Sequence, residues 1–112
     1  MNTEMSNAVN TLIETMVADY ANWQQGSRRA GINEDILKEQ LERYTKGFEI
    51  LVGKKYIKIA NNGGVKAFIV NTENDKMFPY GSILKPASWS TPARNFARGN
   101  VFEDYNVMWT GA

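Results

Sequence analysis

The chain contains no cysteine and no histidine in 112 residues. Without cysteine there can be no disulfide, no thiolate nucleophile and no cysteine metal site. Without histidine the usual general base near neutral pH is missing, as is the commonest zinc ligand, so Ser-His and Cys-His pairs are excluded. Catalysis would then fall to carboxylates, Lys or Tyr, and it needs two acids converging in a cleft. Glu34, Asp35, Glu39 and Glu42 fall instead on one helical stretch, while Glu73, Asp75, Glu103 and Asp104 fall in turns. We therefore expect no enzyme, no catalytic residue, no metal, no cofactor and no small-molecule substrate. No apolar run approaches the ~20 residues a membrane span requires. The first residues also lack a basic-then-apolar signal pattern. The expectation is a cytoplasmic protein without a membrane partner. Internal repeats and low-complexity segments are absent too.

The length suits one compact domain, and the 43% hydrophobic fraction is enough for a single core. Net charge is only +1, so bulk electrostatics recruit neither nucleic acid nor membrane. The distribution is more informative. Up to Val52 there are five Lys/Arg against eight Asp/Glu; from Gly53 onward there are eight against four. An acidic first half precedes a basic second half.

Met5, Val9, Leu12, Ile13, Met16, Val17, Tyr20 and Trp23 recur at three- and four-residue steps, which predicts an amphipathic helix over residues 4–24 with Thr3 or Ser6 as its cap. Residues 25–31 break the pattern, with Arg28 and Arg29 as loop decoration. A second helix is expected from Asn33 as N-cap, with Ile32 and Leu37 at hydrophobic-staple spacing, a buried stripe through Ile36, Leu37, Leu41 and Tyr44, and Gly47 as the stop.

After Gly47 the period changes to two. Residues 48–52 form a lead-in strand. Residues 56–60 and 65–70 flank Asn61-Asn62-Gly63-Gly64, the clearest hairpin in the sequence because Asn and Gly tolerate positive φ. Residues 81–85 give a third strand ended by Pro86, and residues 100–103 and 107–110 a last pair about a turn at 104–106. The expected class is α+β: a helical segment at 1–47 and, at 48–112, a small five-stranded antiparallel barrel of SH3-like or Sm-like type, which would leave no open strand edge.

The stretch from Lys85 to Asn100 has two prolines, two arginines, two aromatics and no acid. Connections this long inside a small domain usually carry function or a short helix. If residues 92–97 form a helix opened by Thr91 and Pro92, then Arg94 and Arg98 share a face, with Lys85 nearby and Phe96 packed beneath. Trp89 offers a stacking face or plugs one barrel end. Lys54, Lys55 and Lys58 make a basic strand face, and Tyr105 is a turn aromatic able to meet a partner. Guanidinium groups grip phosphate and rings stack on bases. These residues (Lys54, Lys55, Lys58, Lys85, Trp89, Arg94, Arg98, Tyr105) are the expected nucleic-acid contacts.

Residues 53–59, 65–70, 81–89, 92–94, 97–102 and 109–111, with the signature GxILKxASWxxPAxxxARGNxF, resemble small uncharacterised proteins of tailed phages, marine ones included. The resemblance implies a phage setting, in the infected cell or the virion, and a barrel of Sm-like type; it supplies no catalytic residues. The expected function is that of a non-enzymatic phage accessory protein binding single-stranded RNA or DNA. The alternative is a protein-interaction or virion-assembly module, a homo-oligomer formed through the amphipathic helices, where Met5, Met16 and Trp23 would provide an adaptable surface.

Overall fold

The computed structural model describes residues 1–26 and 33–112. The expectations at Arg28, Arg29 and Ile32 lie outside those residues. Helix α1 (Thr3–Gly26) and helix α2 (Glu34–Lys46) precede four strands: β1 (Phe48–Val52), β2 (Tyr56–Asn61), β3 (Gly64–Val70) and β4 (Ile83–Leu84). The strands form one antiparallel sheet in the order β1-β2-β3-β4.

Helix α1 forms where the periodicity places it. Met5, Val9, Leu12 and Met16 lie one above another on a single stripe and are fully buried. They meet Ile57, Ile59, Ala67, Ile69 and Ile83 from one face of the sheet. Each of the Met, Val, Leu and Ile side chains contributes about 1.5–3 kcal/mol of burial. The cap is neither Thr3 nor Ser6. Asn2 Oδ1 accepts the Met5 N–H at 2.8 Å, satisfying a donor left orphaned by the first turn. In α2, Asn33 is the cap as expected and accepts from Asp35 N at 2.7 Å.

The β2–β3 turn is the two-residue Asn62-Gly63 type, with φ of 46° and 84°, so both central residues occupy the left-handed region that such hairpins need. The same turn closes α2. Asn61 Nδ2 donates to the Tyr44 carbonyl at 2.8 Å, and Asn62 Nδ2 donates to the Arg43 carbonyl at 3.3 Å. Carbonyls that a helix end leaves unpaired are thus satisfied by a hairpin. Gly47 stops the helix without a left-handed backbone (φ −84°). Its lack of a side chain instead makes room for Asn62, whose Cγ would lie 2.6 Å from an added Cβ.

The five-stranded closed barrel does not form; the sheet is open and four-stranded. Strand β4 is only two residues long. The expected last pair is a set of turns joined by single bridges, Gly99 to Tyr105 and Met108 to Gly111. The reason is local hydrogen bonding. Asn100 Oδ1 takes the Phe102 N–H, the Asn100 carbonyl takes the Glu103 N–H, and the Gly111 N–H goes to Met108 O, so few donors remain for a ladder. Segment 98–101 still docks on β4, with Arg98 N to Ile83 O at 2.7 Å and Ile83 N to Gly99 O at 2.9 Å. Strand β1 is left as the open edge, with Leu51 and Val52 exposed.

Helix α1, at about 1.5 Å per residue, is roughly 36 Å long and overhangs a four-stranded sheet of ~4.8 Å spacing. The molecule accordingly measures 52 × 27 × 25 Å. The far side of the sheet carries a second, smaller core of Phe68, Val70, Phe78 and Leu84, with Tyr56 packed against it. The long connections after β3 and β4 supply its cover.

Candidate nucleic-acid interface

The site is built on that far face. Register fixes a cross-strand row: Leu51 opposes Lys58, Lys58 opposes Phe68, and Phe68 opposes Leu84. Lys58 therefore stands between apolar neighbours and cannot point to the α1 side, where Ile57 and Ile59 point.

The connection after β4 supplies the ring above Lys58. The expected helix over 92–97 is absent. Pro86 and Pro92 bridge instead, and Ala87 N and Ser88 N both donate to Thr91 O at 2.9 and 3.0 Å. Proline has no N–H to sustain a helix and fixes φ, so the chain makes a tight excursion with Trp89 at its tip. Trp89 is 47% exposed. The Lys58 ammonium lies 4.2 Å from its ring centroid and 5.8 Å from that of Phe68, two cation–π contacts to one cation. Trp89 is not a barrel plug.

Lys54 and Lys55 sit in the β1–β2 turn, which is pinned on two sides. Gly53 N donates to Tyr56 O at 2.9 Å, while Asn71 donates through its backbone to Lys55 O (2.7 Å) and through its side chain to Gly53 O (2.8 Å). Two adjoining clefts share Lys55 and Tyr56. One, about 330 Å³, has an apolar floor of Leu51, Val52 and Phe68 with Lys58 and Ser90 on its wall. The other, about 540 Å³, adds Lys54, Lys76, Thr72 and Asn74. Asp75 is the one carboxylate lining either cleft among the described residues.

Arg94 neutralises that carboxylate. Its NH2 group donates to Asp75 Oδ1 at 2.9 Å, and its NH1 group donates to Asp75 Oδ2 at 2.9 Å and to Tyr56 Oη at 2.7 Å. The guanidinium also lies 5.1 Å from the Phe78 ring centroid. Arg94 is thus engaged in a bidentate pair that ties the 71–80 connection to the 85–98 segment. The Arg94 guanidinium, helped by the Met77 and Phe78 N–H groups, holds the Asp75 carboxyl well below the usual carboxylate range. A depressed folded pKa adds stability that is present above the unfolded value of about 3.9 and disappears as pH falls below it. Thermal melts should therefore show the wild type losing stability more steeply than Asp75→Asn from about pH 5 downward. Parallel acid profiles for the two proteins would contradict the pairing.

The remaining expected contacts are dispersed. Arg98 stacks 4.3 Å from the Phe96 ring centroid, and its Nε is buried without a partner. Phe96 is 52% exposed instead of lying beneath a helix. Lys85 is exposed at the end of β4 and lines neither cleft. Tyr105 packs half-buried against the α1-side core, on the opposite face of the sheet from Trp89. The structure brings together Lys54, Lys55, Lys58 and Trp89. It adds Lys76 and Tyr56, which the sequence does not single out, because Lys76 lies in a polar connection and Tyr56 reads as an ordinary strand residue.

A family model described as "Family of unknown function (DUF7717)" matches residues 1–111. The chain belongs to that family. Its match covers both helices as well as the strands. No curated protein and no solved structure matches the chain. Among the described residues no group of His, Cys, Asp or Glu could hold a metal ion, and no helix is long and apolar enough to cross a membrane.

Proposed function

We propose that this DUF7717 member binds single-stranded RNA or DNA, without catalysis, across the face carrying Lys54, Lys55, Lys58, Lys76 and Trp89. One observation carries the reading: a half-exposed indole held by a lysine beside two cationic clefts whose one carboxylate among the described residues is already paired. A base stacked on the free side of Trp89 would leave its phosphates among the lysines. Stacking requires an exposed base face, which single strands offer and duplexes do not. Arg94 supports this surface by cancelling Asp75 and makes no contact of its own. A phage accessory role follows from the resemblance of the 81–102 signature to tailed-phage proteins.

Fluorescence anisotropy with a short labelled single strand at low salt tests the reading. Base–aromatic stacking of about 1–3 kcal/mol means that Trp89→Ala should weaken binding roughly five- to hundredfold. Absence of binding at low salt, or an unchanged affinity in the variant, would remove the proposal.

The self-assembly reading loses Met5 and Met16, which are fully buried in the core and offer no surface, but retains support from two other observations. Ile36 on α2 is 49% exposed, and β1 is an open edge with exposed Leu51 and Val52. Light scattering at micromolar concentration separates the cases, since a monodisperse monomer rules assembly out.

A further inference from the structure

A separate cleft lies on the other side of the molecule, where the two helices meet the C-terminal segment. Its wall is aromatic. Tyr20 stacks on Tyr44 (4.6 Å between centroids, 7° between planes) and meets Trp109 edge-on (4.9 Å, 83°), while Trp23 leans on Trp109 at 4.8 Å. The wall is fixed by polar contacts at its back: Trp109 N donates to Asp19 Oδ2 and Tyr44 Oη donates to Trp109 O, each at 2.8 Å. Burial, with Asp19 and Tyr20 adding to it, pushes the Tyr44 hydroxyl pKa up, so it stays a donor across the working pH range. Trp23 is nonetheless 47% exposed. One side of the ring packs on Tyr20 and Trp109, and the rest stays open at the mouth of the cleft.

The rim facing these rings is cationic and amidic: Arg43, Lys66, Gln40 and Asn62 line a cavity of about 420 Å³. That volume falls within the ~300–1,000 Å³ typical of small-molecule sites. Neither Arg43 nor Lys66 has a carboxylate partner among the described residues. Lys66 owes its place to an irregularity in the sheet. Ile59 pairs with Ala67 but Ala60 pairs with Val65, which leaves Lys66 as the unpaired extra residue. Its carbonyl takes the Ala112 N–H at 2.9 Å instead. Bulges re-aim side chains in this way and recur beside binding sites.

We infer that this cleft binds a nucleoside monophosphate, the base against Trp23 and Trp109 and the phosphate between Arg43 and Lys66. The two cations exclude the alkylammonium ligands that an aromatic wall would otherwise attract. They also disfavour a neutral apolar guest, which would strip their hydration without replacing it. An anionic planar ligand satisfies both halves. Gln40 and the Asn62 side-chain oxygen supply hydrogen-bonding capacity at the edge of the base.

The site shares no residue with the lysine and Trp89 face. It lies at the hairpin end of β2, six residues (about 20 Å at ~3.3 Å each) from the Lys54-Lys55 turn. The two proposals therefore fail separately. The test uses the full chain in a Trp89→Phe background, which leaves Trp23 and Trp109 as the only indoles. Adenosine monophosphate should quench their emission saturably, and adenosine should bind roughly tenfold more weakly for want of the charge-assisted contacts. Arg43→Gln with Lys66→Gln should cost a similar factor or more, with an unchanged thermal melt. The single variants serve if the pair perturbs the fold, and calorimetry on the wild type checks the affinity independently. No saturable quenching by millimolar nucleotide, equal binding of the neutral nucleoside, or nucleotide affinity indifferent to both cations would each overturn the inference.

Discussion

Gly99→Ala is expected to lower the unfolding free energy by about 3 kcal/mol or more, a large part of the ~5–15 kcal/mol available to such a domain. Gly63→Ala should cost only about 1–2 kcal/mol. Both glycines have positive φ, 129° at Gly99 and 84° at Gly63. The difference lies in what surrounds them. An added Cβ at Gly63 meets nothing within 4 Å, whereas at Gly99 it would lie 2.6 Å from Tyr105 Cβ and 2.8 Å from the Asp104 carbonyl oxygen. Neither neighbour can give way cheaply. Tyr105 is packed on the α1-side core, and the Gly99 carbonyl accepts the Ile83 N–H at the edge of β4. Moving Gly99 aside would strip β4 of the segment that covers it. Urea unfolding of the two variants measures the contrast, and equal midpoints would show that segment 98–105 yields at no cost.

The parts of this fold that are legible in the sequence are those decided by neighbours a few positions away. Met5, Val9, Leu12 and Met16 face a single partner surface, so a period of 3.6 is enough to place α1. Asn62-Gly63 has the two residue types that tolerate the turn's backbone, so the hairpin can be read from residue identity alone. The second half is harder to read for the opposite reason. Residues 100–103 and 107–110 look like alternating strands, but Asn100 diverts nearby N–H groups into a turn and Gly111 takes φ of 112° against Lys66. Short side chain–backbone bonds override a weak alternation.

The site is legible only as composition. Lysines 54, 55 and 58 and Trp89 stand out as basic and aromatic residues, yet what unites them is cross-strand register together with an excursion closed by two prolines. Arg94 shows the limit most clearly. Its acid partner Asp75 lies 19 positions away in a connection that looks like a polar turn, and nothing local marks the pairing. The Tyr44–Trp109 bond spans 65 positions. Such contacts are fixed by the sheet and leave no periodic trace.

The sheet also sorts charge. Helix α1 carries Glu4, Glu14 and Asp19 without a single basic residue and covers one face, while the lysine clefts lie on the other. A polyanion approaching this molecule is repelled by the acids of α1 and attracted by the lysine clefts, while Arg43 and Lys66 leave only a smaller cationic spot on the α1 side, so the field favours the lysine face before contact. The dependence on lysine should be correspondingly strong. Simultaneous replacement Lys54→Ala, Lys55→Ala and Lys58→Ala is expected to weaken binding of a short single strand at low salt by roughly a hundredfold or more, and to lower the slope of log affinity against log salt by about 2, from three phosphate contacts at ~0.7 each. Lys85→Ala, outside both clefts, should change the slope by no more than a small fraction of that. The salt slope is the discriminating measurement because lost stacking lowers affinity without altering it. Lys54 and Lys55 are exposed, and the turn is held by backbone bonds of Gly53, Tyr56 and Lys55 rather than by lysine side chains, so their truncation leaves it in place. Removing Lys58 unloads one face of Trp89, and the affinity of Lys58→Ala alone then reports whether that face is worth more to the protein covered by a cation or open to a second base. A triple variant whose slope matches the wild type would mean that phosphates do not enter these clefts at all.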